Sequence, residues 1–377
     1  MMAANKPNQQ DFSDWLIRFE TVAKRRGISK AVFDQAFSTV TFDPSIVSSD
    51  RQQPENTLPI WRYLEKAVSN TRVKNGKTAL SENAGLLNSL ETTYGIPAEI
   101  IVAIWGLESA YGTIRGELST VQSLATLAYE GRREQLFETQ LIAALKIVQS
   151  GAVTVDAMLG SWAGAMGHTQ LMPTSFLQNA VDFDGDGHCN IWAYDPTDAL
   201  ATTAKFLQTA GWHPNLTCMS KVKIPPSFNY ALSGPNVAKS PQDWEKLGVI
   251  TDQPLTGPMS ILLPAGANGP AFLTSANFNV LLSYNRSVPY CMAVSHLAAK
   301  ITGAVGFAAD WPVDDTPLDR AALRQLQVKL TEKGFNTKGA DGLFGENSKQ
   351  ALQQYQHAAG LIADGYPTLK ILQKLGV

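Results

Sequence analysis

By type and surroundings, Glu108 is the residue best placed to do chemistry. It lies near the end of the run Ala98-Glu99-Ile100-Ile101-Val102-Ala103-Ile104-Trp105-Gly106-Leu107-Glu108-Ser109-Ala110-Tyr111-Gly112, among the most apolar in the sequence. Pro97 precedes this run, where a proline suits a helix start. Ile100, Ile101, Ile104 and Leu107 recur at the spacing of a buried helical face, and Glu108 falls on the next turn. Ile104, Trp105 and Tyr111 are expected to desolvate the carboxyl, which favours its neutral form and raises its pKa. A carboxylic acid that is neutral near pH 7 can donate a proton. Taken alone, the stretch favours a plainer reading, a helix end whose glutamate turns to water.

Other clusters offer different chemistry. The 160–175 stretch, Gly160-Ser161-Trp162-Ala163-Gly164-Ala165-Met166-Gly167-His168-Thr169-Gln170-Leu171-Met172-Pro173-Thr174-Ser175, carries three glycines within eight residues, which lets backbone approach something closely. It lacks the Gly-Lys-Ser/Thr of a phosphate loop. Its polar offerings are the Ser161 hydroxyl, the Gln170 amide and backbone N–H groups; a tightly packed turn is the alternative. Next comes Asp182-Phe183-Asp184-Gly185-Asp186-Gly187-His188-Cys189-Asn190-Ile191. Carboxylates at positions 1, 3 and 5, glycine at 6 and an apolar residue at 10 match the front half of an EF-hand loop, with position 7, His188, ligating through its carbonyl. Position 12 is Ala193 rather than Glu, and the nearest acids are Asp195 and Asp198. Hard oxygen ligands favour calcium over zinc. An Asp/Gly turn held by its own side chains is the alternative. Arg132 and Arg133 read as a solvated helix face or as contacts for an acidic ligand group. Tyr284, Asn285 and Tyr290 read as core or as a sugar site.

The elements that must hold these groups follow from periodicity and punctuation. Two helices are expected over residues 11–42, with Gly27 ending the first and Ser29 capping the second. Asp43-Pro44 and the polar 48–56 stretch read as a loop. Helical sequence resumes at Pro59 and runs with breaks to Tyr94. Residues 121–150 read as helical, with Gly131-Arg132-Arg133 inside them, and residues 199–210 as a helix closed by Gly211. From Pro225 to Asn285 the character changes: prolines, glycines and β-prone runs such as Ser260-Ile261-Leu262-Leu263 and Phe278-Asn279-Val280-Leu281-Leu282 suggest a small mixed subdomain. A helix follows over 291–302. Residues 311–317 form a linker by composition, and the remainder is a compact three-helix pattern.

Bulk properties bound the answer. The chain has 377 residues, about two to three domains by length. Hydrophobic residues make up 44% and charged residues 17%, a globular composition. The net charge of −2 gives no basic excess for nucleic acid or an anionic membrane. No run is apolar enough for long enough to span a membrane, and the start Met1-Met2-Ala3-Ala4-Asn5-Lys6 lacks the apolar core of a signal peptide. Cys189, Cys218 and Cys291 form no CxxC pair, so one disulfide with a free thiol and three free thiols both stand. Eight tryptophans and ten tyrosines include rings that suit a hydroxyl-rich ligand, although most are expected to be ordinary core.

Four motifs, in order and spacing, then resemble one family. Ala103-Ile104-Trp105-Gly106-Leu107-Glu108-Ser109, the 160–175 stretch, the 182–192 loop and Ser283-Tyr284-Asn285-Arg286-Ser287 look like the lytic murein transglycosylase B family, membrane-bound and soluble. This resemblance covers residues 11–309. The C-terminal sixty or so residues resemble the three-helix peptidoglycan-binding module, through Leu323-Arg324-Gln325-Leu326-Gln327, Asp341-Gly342-Leu343-Phe344-Gly345 and Asp364-Gly365. The implied fold is α+β and mostly helical: a lysozyme-like catalytic core within 1–310, a small mixed subdomain near 220–285, a linker at 311–317 and a binding module over 318–377.

The implied activity is non-hydrolytic cleavage of the MurNAc–GlcNAc β-1,4 bond, giving 1,6-anhydroMurNAc ends. Glu108 would be the acid/base. Sugar and peptide contacts would fall on Tyr63, Arg132, Arg133, Ser161, Gln170, Tyr284, Asn285 and Tyr290, with Phe206 where one relative carries Tyr. Calcium ligands would be Asp182, Asp184, Asp186, the His188 carbonyl and Asp198, although the loop before Asp198 is longer by two residues than in that relative. The ion would be structural, with no cofactor for catalysis. His168 replaces an aromatic residue or Gln, an expected change in subsite contacts. The partners implied are glycan strands and stem peptides, in the periplasm. Ordinary glycosidases use two carboxylates about 5–9.5 Å apart. Glu108 is the sole acid of the two motifs expected to form the cleft, so one carboxylate must serve twice. A hydrolytic muramidase and a non-catalytic wall-binding protein are the competing readings.

Overall fold

A computed structural model describes residues 9–51, 58–307, 310–314 and 317–376. The chain start, the later part of the expected 48–56 loop, and Asp315 and Thr316 of the expected linker lie outside these residues. The chain divides into two compact units, Met1–Gln53 with Thr71–Ala210, and Pro54–Asn70 with Gly211–Val377.

The first unit begins with α1 (Gln9–Arg25), α2 (Lys30–Phe37) and α3 (Pro44–Arg51). Ser29 caps α2 as expected, accepting from the Val32 amide at 3.3 Å. Phe12, Trp15 and Phe19 stand on one face of α1 and stack, with Trp15 and Phe19 ring centres 4.9 Å apart. The sequence around Pro44 is a helix, not the expected loop. Asp43 accepts from the Ser45 amide at 2.8 Å, Pro44 suits the first turn, and Ile46, Val47 and Asp50 are buried. A second correction concerns Arg132 and Arg133. They sit in the turn between α8 (Thr120–Glu130) and α9 (Glu134–Gln149), where Gly131 adopts φ +87°, and not within a helix.

Between α3 and α8 the chain forms α4 (Ile60–Ala67), α5 (Asn70–Glu82), α6 (Ala84–Tyr94) and α7 (Ala98–Ser109), then β1 (Leu118–Ser119). After α9 come β2 (Leu159–Gly160), α10 (Pro173–Asn179) and α11 (Thr197–Thr209); α4 belongs to the second unit. The sequence pattern implied one buried face for α7. In fact every residue from Ile100 to Trp105 is buried, and the helix packs against α6 and α11. All-round burial marks a central helix. β1 and β2 make a two-stranded antiparallel ribbon.

The second unit holds a five-stranded antiparallel sheet in the order β4-β6-β7-β3-β5. Its strands are β3 (Met219–Lys223), β4 (Ala238–Lys239), β5 (Ile250–Thr251), β6 (Met259–Leu262) and β7 (Ala271–Thr274). Met259, Ile261, Ala271 and Leu273 turn one face to a core with Phe228 and Trp244. Trp244 lies on α12 (Pro241–Lys246), and its indole N–H donates to the Met259 carbonyl at 2.8 Å. The Phe278–Leu282 run is a helix rather than β-like. It belongs to α13 (Ala276–Tyr284), whose N-cap Ser275 accepts from the Asn277 amide at 3.1 Å. α14 (Val288–Ile301) follows and packs against α4.

The chain closes with α15 (Arg320–Glu332), α16 (Glu346–Ala358) and α17 (Leu369–Lys374), around Leu326, Leu330, Leu352 and Leu372. Two Asp-Gly turns brace this bundle alike. The Gln327 oxygen accepts from the Gly342 amide at 2.8 Å and its nitrogen donates to Asp341 at 3.2 Å. The Gln356 oxygen accepts from Gly365 at 2.7 Å and its nitrogen donates to Asp364 at 2.8 Å. The other oxygen of Asp364 accepts from the Ala267 amide at 2.8 Å, tying the bundle to the turn before β7.

Candidate active site

Glu108 is half-buried on the last turn of α7. Gly106 lies beneath it because a Cβ there would stand 2.5 Å from the Tyr111 phenol. That ring sits edge-on to Trp105, with centres 5.9 Å apart, and its hydroxyl donates to the Arg72 carbonyl at 2.7 Å. Burial pushes the Tyr111 phenol up to about 12, with the nearby Arg72 charge acting the other way, so it stays protonated.

Immediately after Glu108 and Ser109 the backbone turns left-handed three times, at Ala110 (φ 49°), Tyr111 (φ 61°) and Gly112 (φ 83°). Two of these lack glycine's freedom, a conformation that surrounding contacts must impose. Ser109 supplies some of them: its hydroxyl donates to the His168 carbonyl at 2.5 Å and accepts from the Gly112 amide at 2.9 Å.

His168 is 3% exposed and ties this turn to the glycine-rich loop. The Trp105 indole N–H donates to Nδ1 at 3.2 Å, so the ring's proton sits on Nε2, which donates to the Ala193 carbonyl at 2.8 Å. Burial holds its pKa below the ordinary value; the Ala193 bond raises it, and the Arg115 charge lowers it further. His168 therefore supports the site from within, rather than altering subsite contacts as expected. Arg115, which carried no signal in the sequence, donates to the Trp192 carbonyl at 2.9 Å and the Ala193 carbonyl at 2.5 Å.

The glycines of the loop serve packing. A Cβ at Gly164 would meet Leu124 at 2.5 Å, and one at Gly167 the Ile191 carbonyl at 2.4 Å. The backbone approach expected from the sequence is thus to the protein itself. Ser161 and Gln170 stay half-buried. The Ser161 oxygen accepts from the Ala165 amide at 3.2 Å, which leaves its hydroxyl hydrogen to give. The Gln170 side-chain nitrogen donates to the Arg115 carbonyl at 2.8 Å and the Gly167 carbonyl at 2.9 Å, which leaves its side-chain oxygen to accept.

The remaining expected residues belong to both units, Arg132, Arg133 and Phe206 to the first and Tyr63, Tyr284, Asn285 and Tyr290 to the second. Arg132 and Arg133 both pair with Asp50, whose side chain is 2% exposed. Phe206 is half-buried on α11, which packs against the helix of Glu108. Tyr63 is half-buried on α4, and Tyr290 is buried on α14, the helix that α4 packs against. Tyr284 ends α13, and Asn285 accepts from the Ser287 amide at 3.1 Å.

In the acidic loop, one carboxylate oxygen each of Asp182, Asp184 and Asp186 lie within 4.8 Å of one another, all exposed. Asp182 accepts from the Gly185 and Gly187 amides, Asp184 from Asp186 and Asp186 from His188. The Asp186 amide pulls the Asp184 carboxyl down, but partial desolvation by its neighbours and the charges of Asp198, Asp186 and Asp182 outweigh it and leave the carboxyl above its usual range. Asp198 is buried and clamps both ends of the loop, accepting from Phe183 at 2.9 Å and Asn190 at 2.8 Å. A hard-oxygen donor set with uncompensated like charge fits a calcium ion.

A half-buried carboxylate at the end of a central helix, on a turn bonded to a glycine-rich loop, is the arrangement of a lysozyme-like glycan-cleaving enzyme. Residues 11–299 match the transglycosylase SLT domain, and residues 319–375 a putative peptidoglycan-binding domain. The chain is 30% identical over 316 residues to membrane-bound lytic murein transglycosylase B of Escherichia coli, covering 79% of this chain and 83% of that one. It superposes on the crystal structure of SltB3 from Pseudomonas aeruginosa in complex with NAG-anhNAM-pentapeptide with a TM-score of 0.93, at 42% identity, over 97% of this chain and 99% of the other. The calcium complex of the E. coli lytic transglycosylase Slt35 matches with a TM-score of 0.67 at 29% identity, over 79% and 94%. The chain belongs to the transglycosylase SLT family. Within it, this is a lytic transglycosylase of the B type with a C-terminal peptidoglycan-binding domain, an enzyme acting on peptidoglycan.

Proposed function

We propose that Glu108 is the single acid/base of this transglycosylase and that Ser161 and Gln170 hold the substrate's acetamido group. The hydrogen-bond inventory of those two residues carries the reading. One hydroxyl hydrogen and one amide oxygen remain to bind, and an acetamido group offers the complementary pair, a C=O and an N–H. Glu108 first protonates the glycosidic oxygen as the bond to C1 breaks. The acetamido oxygen, steadied by the Ser161 hydroxyl, stabilises the positive charge at C1. The Glu108 carboxylate then takes the proton from the C6 hydroxyl, whose oxygen bonds to C1 and closes the 1,6-anhydro ring. Intramolecular attack carries a high effective molarity and uses no water. Half-burial of Glu108 on a braced turn supports this double use of one carboxylate.

In this reading Phe206, Tyr63, Tyr284, Asn285 and Tyr290 line the remaining sugar contacts. Arg132 and Arg133 keep charge near the stem peptide while anchored on Asp50. Asp182, Asp184, Asp186 and the His188 carbonyl hold a structural calcium ion, with Asp198 sharing an oxygen. Residues 1–310 carry the cleavage and 318–377 the wall binding, in the periplasm. Among the described residues no helix is long and apolar enough to cross a membrane.

Glu108→Gln is expected to lower turnover on sacculi by about a thousandfold. Products of the native enzyme are expected one water lighter than hydrolytic fragments by mass spectrometry. Undiminished lysis by E108Q, or reducing MurNAc ends, would overturn the assignment.

A further inference from the structure

The sheet of the second unit leaves part of one face open. Met259 and Ile261 of β6 point to the core, so Ser260 points to the opposite face. Ser260 is paired in register with Ala238 on β4 and Thr274 on β7, giving a row of three small residues. The next row on that face holds Phe272, which is fully buried and packed edge-on to Phe307, with ring centres 5.0 Å apart. The face is thus covered over Phe272 and open over the small row, where a cavity of about 610 Å³ lies.

Its walls are fixed. Residues His213–Leu216 form one side, and Asn277, fully buried, holds them. It donates to the His213 and Leu216 carbonyls at 2.9 and 2.8 Å and accepts from the His213 amide at 2.8 Å. Pro235 and Pro258 stand among the other lining residues. Pro235 follows Gly234, where a Cβ would lie 3.5 Å from the ammonium of Lys349 on α16, so the peptidoglycan-binding domain adjoins the rim.

We infer that this trough is a second glycan subsite that takes an uncharged 2-acetamido sugar of the peptidoglycan strand. This rests on the peptidoglycan-cleaving reading above but not on the role of Glu108. The volume suits a small-ligand site. The lining contains no Asp, Glu, Lys or Arg. With Lys349 standing only at the rim, the carboxylates and ammonium groups of a stem peptide would be desolvated inside the trough without a charged partner, at a cost a neutral sugar avoids. Leu216 and the prolines offer apolar surface to the pyranose ring and acetyl methyl, while Asn215, Ser260 and Asn279 offer polar groups to its hydroxyls and amide. A strand held here and at the adjoining domain is gripped by the unit that does not carry Glu108.

The test uses full-length E108Q and the neutral probe chitotriose, followed by amide NMR shifts. Shifts at Ser260, Thr274 and Asn279 are expected, and Ala238→Trp, a substitution on the exposed edge strand, is expected to abolish them. In the otherwise native enzyme A238W is expected to raise the half-saturating sacculus concentration about fivefold, a factor of ~1 kcal/mol, with turnover of a soluble tetrasaccharide unchanged. Asn279→Ala, at an exposed helix position, is expected to weaken the chitotriose shifts without affecting the fold. Silence at the trough amides while Ser161 and Gln170 respond would overturn the inference. So would a response to muramyl dipeptide and not to chitotriose. Activity of E108Q is measured separately, so failure of the Glu108 assignment leaves the trough shifts to decide this inference by themselves.

Discussion

Gly106 lacks a side chain because Tyr111 occupies the space a Cβ would take. Gly106→Ala is expected to push the phenol away, break its bond to the Arg72 carbonyl, and cost about 1–3 kcal/mol as overpacking does. A denaturant melt reads the loss, and lysis is expected to fall further than stability because Glu108 sits two residues on. Asp50 poses the opposite case, a buried acid shared by two arginines. Asp50→Ala is expected to destabilise by about 1–3 kcal/mol through the loss of charge-assisted bonds, the two arginines being exposed enough to stay solvated. If Arg132 also serves substrate, Arg132→Ala will raise the half-saturating sacculus concentration beyond what D50A does; equal effects would confine the pair to structure.

At the scale of elements, Asp198 and Asp184 separate the loop's own bracing from ion binding. Asp198→Ala removes the acceptor at both ends of the loop, about 1–3 kcal/mol for each amide left unpaired. A lower melting temperature is expected with and without calcium. Asp184→Asn is expected to leave the chelated protein unchanged and to abolish the rise in melting temperature on adding calcium. No rise in the native chain would reduce the loop to a turn.

Local chemistry was legible here: the Ser29 cap, the Asp-Gly pattern and the apolar run of α7 each depend on neighbours in sequence. The Pro44–Arg51 helix was misread because its polar residues concealed Ile46 and Val47, which are buried. The Phe278–Leu282 run was misread because a short apolar stretch has no decisive period. Arg115 carries no local signal, and His168 reads as a subsite contact rather than a brace, because their partners at 192–193 and at 105 lie 25 to 78 positions away.

For the whole molecule, acid is the informative stress. His168 in one unit and His296 in the other are held neutral chiefly by burial, and His296 is lowered to about 4 with Lys300 adding to the effect. In the unfolded chain both take up protons near 6.5. From there down to about pH 4 the unfolded state binds more protons, so stability falls as pH falls, while above 6.5 the two histidines contribute no slope. The denaturant midpoint is expected to decline between pH 7 and 4.5, and less steeply in His296→Phe. The twin Asp-Gly clamps offer a second check. Asp364 also accepts from Ala267, whereas the bonds of Asp341 stay within the bundle. Asp364→Ala is expected to lose hydrogen-exchange protection at the Ala267 amide, and Asp341→Ala to keep it.

The left-handed turn after Glu108 reverses the usual ranking of substitutions. Elsewhere in a helix glycine weakens the chain, but at Ala110 (φ 49°) it would release a penalty of about 1 kcal/mol carried by every other residue. An engineer seeking a hardier enzyme would therefore begin with Ala110→Gly, two residues past Glu108, and would avoid a branched residue there. A lineage drifting at this position has few ways to change and keep the turn.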